Sequence, residues 1–125
     1  MPVATGLSAS LEHVVEESDT AIALGSGSVP VLGTPRVVAL FEKASCMALE
    51  GRLGKGETSV GLRVEVTHIS PTKVGSHVHV ESTLERTEGR RLVFTVSATD
   101  DRGLVAAGKV TRVVVDYDEF MEKAR

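Results

Sequence analysis

Hydrophobic and polar positions alternate through much of the second half of the chain. Val78, Val80, Ser82 and Leu84 fall on one side of the stretch Gly75 to Arg86, and Leu92, Phe94, Val96 and Ala98 on one side of Arg90 to Asp100. A period of two is the strand period, because successive Cβ atoms point to opposite faces of a sheet. Two further strands are predicted over Thr58 to Ile69 and Leu104 to Val115. Glu88-Gly89 and Asp101-Arg102-Gly103 supply tight turns between neighbours, so these strands should pair as antiparallel hairpins.

The period changes once. After Thr34-Pro35, a good helix start because Thr can cap the first amides and Pro at the next position loses no needed hydrogen bond, Val38, Phe41, Ser45 and Leu49 recur at helical spacing. Gly51 stands where a terminal glycine would close the helix. This predicts one amphipathic helix of about four turns. Upstream, Ser10 to Glu17 reads as a first strand, and AIALGSGSVPVLG, from Ala21 to Gly33, as a loop rich in Gly, Ser and Pro. A short helix begins near Asp118. The order of elements predicts an α+β fold, a single domain over residues 1–125 with one long helix packed on a curved antiparallel sheet. Such a sheet leaves edges that need cover, and a strand-to-strand homodimer is one solution.

Composition narrows the function. Fourteen basic against seventeen acidic residues, with no basic block, argue against nucleic acid, whose phosphates require a clustered positive face. No apolar run approaches the roughly 20 residues that span a bilayer, and the N-terminus lacks a basic segment followed by an apolar one, so no membrane role is expected and the cytoplasm is the expected location. Cys46 is the one cysteine, expected as a small buried side chain of the helix. Aromatic residues make up only 3% of the chain, so the core must be aliphatic.

Two polar residues interrupt the apolar faces. At 100° per residue Glu42 lies about 40° from Val38, within the predicted stripe of the helix. In LRVEVTHI, Leu62, Val64, Val66 and His68 share one face of a strand. A helix packed on that sheet would bring together a carboxylate and an imidazole, the pair best suited to moving protons near neutral pH. Either the helix rolls to let Glu42 reach solvent, or a polar partner waits opposite. His77 and His79 share a polar face with Glu81 and Thr83, and without a further ligand they predict no metal site. The glycines form no phosphate-binding or dinucleotide pattern, and no Ser sits in a nucleophile elbow.

Ordered segments carry a family resemblance over most of the chain after about residue 30. They are GTPRVVALFE at the helix, SVGLRVEVTHISPTKVG from strand into turn, EGRRLVFTVSATDDRGLVAAGKVTR across the last hairpin, and VVVDYDEF. This set resembles the fluoroacetyl-CoA thioesterase family of hotdog-fold proteins. The resemblance implies thioester hydrolysis on a small or medium acyl-CoA, without a cofactor, and a catalytic group of Thr34, Glu42 and His68. It implies further that Gly61 lies near the bound thioester and that Arg112, after Gly108, contributes to binding CoA. Arg63, Lys73, Arg90, Arg91 and Lys109 are other cations that could meet its phosphates. The fluoroacetyl-specific enzyme carries aromatic residues in a lid before the helix; the corresponding stretch here has none.

Hydrolysis would proceed by attack of water or of Glu42 on the carbonyl, with His68 passing protons to the leaving thiolate. Backbone amides near the helix start or Gly61 would receive the oxyanion. Eight helical residues span about 12 Å, so Thr34 should sit before the helix proper, or meet Glu42 from a dimer partner. A non-catalytic acyl-CoA or small-ligand binding protein, an acyl-thioester hydratase, and a structural domain with the pair kept for packing remain alternatives.

Overall fold

The computed structural model describes residues 3–124. Five strands, β1 (Ser8–Val14), β2 (Glu57–His68), β3 (His77–Glu88), β4 (Arg91–Asp100) and β5 (Gly103–Asp116), form one sheet in the order β1-β3-β4-β5-β2, every pairing antiparallel. Three helices accompany it: α1 (Ala21–Leu24), α2 (Thr34–Ala48) and α3 (Tyr117–Lys123). The hotdog arrangement expected from the sequence is therefore present. No helix among the described residues is long and apolar enough to cross a membrane.

The core lies between α2 and the inner face of the sheet. Val78, Val80 and Leu84 of β3, Leu92, Phe94 and Val96 of β4, and Val105 and Val110 of β5 are fully buried, facing Val37, Phe41 and Ala44 of α2. The period-two pattern thus placed its apolar set on the core side. Ser82, in the middle of that set, is also buried; its hydroxyl lies 2.8 Å from that of Ser45, which in turn bonds the Phe41 carbonyl at 2.8 Å. Each hydroxyl of this pair thus has a partner within the helix–sheet contact, as buried polar groups require.

Several predicted elements shift. The first strand begins and ends earlier than Ser10 to Glu17, because the Asp19 carboxylate accepts the Glu16 backbone N–H at 2.8 Å and winds Glu17–Asp19 into a 3-10 turn. The predicted loop contains α1, whose first turn is capped by Thr20 Oγ1 accepting the Ala23 N–H at 3.1 Å. Backbone bonds from Ala21 N–H to Val31 and from Gly33 N–H to Asp19 close the segment into a strap. β3 starts two residues late, since Gly75 turns the chain at φ 93°.

Two side-chain expectations are corrected. A bulge in β2 between Gly61 and Arg63 removes Leu62 from the pairing and leaves it 51% exposed, so it does not share a face with Val64, Val66 and His68. The buried stripe of α2 is centred near Phe41 and Ala44 rather than Val38, and Cys46, about 140° from Phe41, is exposed.

Candidate active site

Thr34 is the first residue of α2 rather than its cap; Gly33 takes the N-cap position with extended backbone, and its carbonyl accepts the Arg36 N–H at 3.0 Å. Relieved of capping, the Thr34 hydroxyl lies 2.9 Å from Nδ1 of His68, the last residue of β2. The other ring nitrogen, Nε2, is buried and has no hydrogen-bond partner. An imidazole that receives the Thr34 proton at Nδ1 presents Nε2–H; one that donates Nδ1–H to Thr34 presents a bare Nε2. A cavity of about 330 Å³ adjoins this pair, walled by the strap and by the turn after β2.

Glu42 forms a second cluster two turns further along α2. Both possibilities raised by its position in the sequence hold. The helix is rolled so that the side chain lies at the stripe's edge, about a third exposed, and a polar partner waits opposite it. Oε2 accepts from Arg112 Nη1 at 3.1 Å. Arg112 projects inward from β5 and is only 7% exposed. Its Nε donates to the Ser59 hydroxyl at 2.9 Å and its Nη2 to the Ser59 carbonyl at 2.9 Å. The planar guanidinium is thus fixed by two bonds to one residue of β2 and offers a third to Glu42, a geometry Lys could not reproduce.

Gly61 completes this cluster. A Cβ built on it would collide with Glu42 Oε2, so only glycine lets the carboxylate lie against the β2 backbone. Gly108 serves the same strand from the other side: a Cβ there would collide with the Glu65 and Val66 backbone, and its absence allows β5 to approach β2 closely.

Within one chain the clusters are separate, Thr34 with His68 and Glu42 with Arg112, Ser59 and Gly61. The helix alone sets them about 12 Å apart along its axis. Among the other cations, Arg63 pairs with Glu65, Lys109 with Glu85 and Arg90 with Glu57. The two ring nitrogens of His79 face Glu12 and Glu81.

Two supports escaped the sequence reading. Ser59 was visible in principle, two residues before Gly61 and hence on the same face. Asp19 was not, because no periodicity marks a turn. Its buried carboxylate meets His13 Nε2 at 2.8 Å, Arg36 Nε at 2.7 Å and the Glu16 N–H. Burial acts to raise its pKa, but the Glu16 N–H, His13 and Arg36 together prevail and hold it below the usual carboxylate value. The Asp19 carbonyl also receives the Gly33 N–H, so this residue anchors the chain immediately before Thr34.

The sequence profile of the FlK family, described as fluoroacetyl-CoA-specific thioesterase, matches residues 15–118. The fluoroacetyl-CoA thioesterase of Streptantibioticus cattleyicolor is 37% identical over 95 residues, covering 76% of this chain and 68% of that one. A solved structure of the fluoroacetyl-CoA thioesterase FlK superposes with a TM-score of 0.93 at 30% identity, covering 100% of this chain and 97% of that one. A thioesterase superfamily member from Thermus thermophilus does so with a TM-score of 0.91 at 28% identity, covering 99% and 92%. With its hotdog sheet and its match across five sixths of the sequence, the chain belongs to the fluoroacetyl-CoA-specific thioesterase family and is a thioester hydrolase.

Proposed function

We propose that this protein is a cytoplasmic homodimer that hydrolyses a small or medium acyl-CoA at a site built from Thr34, Glu42 and His68, with Gly61 and Arg112 binding and orienting the reacting groups. The observation that carries the reading is the inward pairing of Glu42 with Arg112 beside a glycine that cannot be replaced without displacing the carboxylate.

The separation of the two clusters supports a dimer. β2 is an edge strand whose outer backbone groups have no partner strand within the chain, and edges of this kind invite pairing with a second copy. A two-fold axis near the middle of β2 would set the Glu42 and Gly61 end of one chain against the Thr34 and His68 end of the other. Each of two equivalent sites would then hold a carboxylate from one protomer and an imidazole from its partner.

In such a site Glu42 provides the attacking carboxylate, or the base for an attacking water, and the tetrahedral oxyanion takes hydrogen bonds from backbone N–H groups near Gly61 or the start of α2. Collapse breaks the carbon–sulfur bond, and His68 Nε2 delivers a proton to the thiolate. Where Glu42 is the nucleophile, water then cleaves the Glu42–acyl anhydride and frees the carboxylate; in either route the hydroxyl of the water leaves with the acid while its proton restores His68. Thr34 sets the orientation and tautomer of the imidazole through Nδ1. Arg112 keeps Glu42 aimed at the carbonyl and compensates its charge.

The test is release of free thiol from a panel of acyl-CoAs by the wild type and by Glu42→Ala. Release by the wild type, reduced at least about a thousandfold in the variant, is the expected result. Equal rates in the two proteins would remove Glu42 from the chemistry, and binding without turnover would favour the ligand-binding alternative.

A further inference from the structure

The cavity beside Thr34 and His68 carries information about the acyl group. Its walls include Ala21, Val29, Val31, Leu32, Ile69 and Pro71, and His68 is the one ionisable or aromatic side chain on its lining. Val29 and Ile69 line it while remaining 52% and 56% exposed, so large aliphatic surfaces stand in water at the mouth of a site that already holds a partnerless imidazole nitrogen. Apolar surface left open at a functional cleft marks where a ligand or partner binds.

Size and charge narrow the ligand. A water molecule's share of liquid volume is about 30 Å³. By that measure the cavity of about 330 Å³ accommodates roughly eleven heavy atoms. The thioester carbon, oxygen and sulfur, with the first atoms of the pantetheine arm, take about half of these. An acetyl or fluoroacetyl group would leave most of the apolar wall uncovered. A carboxylate-tipped acyl group would lose water and find no lysine or arginine on the lining, only the His68 imidazole that the reaction needs for the leaving thiolate, at a heavy cost.

We infer that this site takes uncharged aliphatic acyl groups of about four to six carbons, and that two-carbon and dicarboxylic acyl thioesters are poorer substrates. The inference rests on the thioesterase reading above and names the substrate class of the same site. Each additional methylene buried against the aliphatic wall improves recognition by about fourfold, the equivalent of roughly 0.8 kcal/mol. The gain ends when the chain outgrows the cavity.

The experiment measures kcat/KM for acetyl-, fluoroacetyl-, butyryl-, hexanoyl-, decanoyl-, succinyl- and phenylacetyl-CoA. In parallel, Kd is measured for the same thioesters on Glu42→Gln. The expected profile rises about tenfold or more from acetyl to butyryl, peaks by hexanoyl, and places succinyl at least about a hundredfold below butyryl. Val29→Phe, which narrows the mouth at a half-exposed position, lowers the butyryl-to-acetyl ratio about tenfold. A maximum at acetyl, fluoroacetyl, decanoyl, succinyl or phenylacetyl overturns the inference. If the wild type hydrolyses none of them, the thioesterase reading fails, and the binding series then decides the ligand class by itself: tighter binding of butyryl and hexanoyl than of acetyl upholds it, and chain-length-independent binding overturns it.

Discussion

Gly61 and Arg112 are the residues at which the site is least tolerant. Replacing Gly61 with Ala places a methyl group where Glu42 Oε2 now lies. Because the atom in the way is the far end of the flexible Glu42 side chain and Gly61 adopts no positive φ, the fold should persist while the carboxylate swings away. Gly61→Ala is therefore predicted to lower kcat about 10- to 100-fold with little change in thermal midpoint, as read by steady-state kinetics beside a melting curve. Arg112→Met goes further. It leaves the Ser59 carbonyl and the Glu42 carboxylate without their donor, which should cost about 2 kcal/mol of stability in addition to activity. Arg112→Lys should recover much of the stability and little of the rate, because an ammonium cannot bond Ser59 twice and Glu42 at once. Thr34→Val, which keeps the wall that Thr34 gives the cavity and removes only the hydroxyl bonded to His68, should reduce kcat about tenfold and leave KM nearly unchanged.

Among the elements, the strap from Asp19 to Gly33 carries the most consequence, because it both walls the cavity and delivers Thr34 to the first turn of α2. Asp19 holds it at three points: β1 through His13, the 3-10 turn through Glu16, and α2 through Arg36. Its folded-state pKa is depressed, so the stability it contributes is present above the unfolded carboxylate value near 3.8 and is lost as pH falls below that value through the depressed one. Asp19→Asn should thus be destabilised by roughly 2 kcal/mol at pH 7, a fall of about 5–10 °C in thermal midpoint, with the gap to wild type closing as pH falls below 3.8 through the depressed value. A gap that stays constant with pH would show that the loss comes from packing and not from the charge.

At this scale the sequence was legible wherever a period ran long enough to be read. The alternation through β3 and β4 and the helical spacing of α2 located the core; Glu42 and His68, expected to meet across it, take different partners within one chain. Irregularities were not legible. The bulge at Gly61–Leu62 reverses the side to which Leu62 points, and the roll of α2 moves its buried stripe from Val38 to Phe41 and Ala44. Both are settled by contacts across the sheet that no local pattern encodes. Thr34 looked like a cap because its type suits one. His68 outcompetes the helix amides for its hydroxyl, and this depends on a residue thirty-four positions away.

For the whole molecule the determining feature is the free edge of β2. A sheet that ended there in solution would expose unpaired backbone groups along twelve residues, together with Leu62 and the half-exposed Val64. Association through this edge predicts a solution mass of twice the 13.2 kDa chain. Sedimentation equilibrium would check it, and a persistent monomer at micromolar concentration would require each chain to work with its two polar clusters apart.

The most direct test of the shared site is complementation between two inactive proteins. Glu42→Ala and His68→Ala chains, carrying different tags, are unfolded together, refolded and assayed for thiol release. If each site takes its carboxylate from one protomer and its imidazole from the other, a mixed dimer holds one intact site and one doubly damaged site. A statistical mixture should then recover about one quarter of wild-type activity. Recovery no greater than the sum of the separate variants, in a sample shown by its tags to contain mixed dimers, would contradict the account.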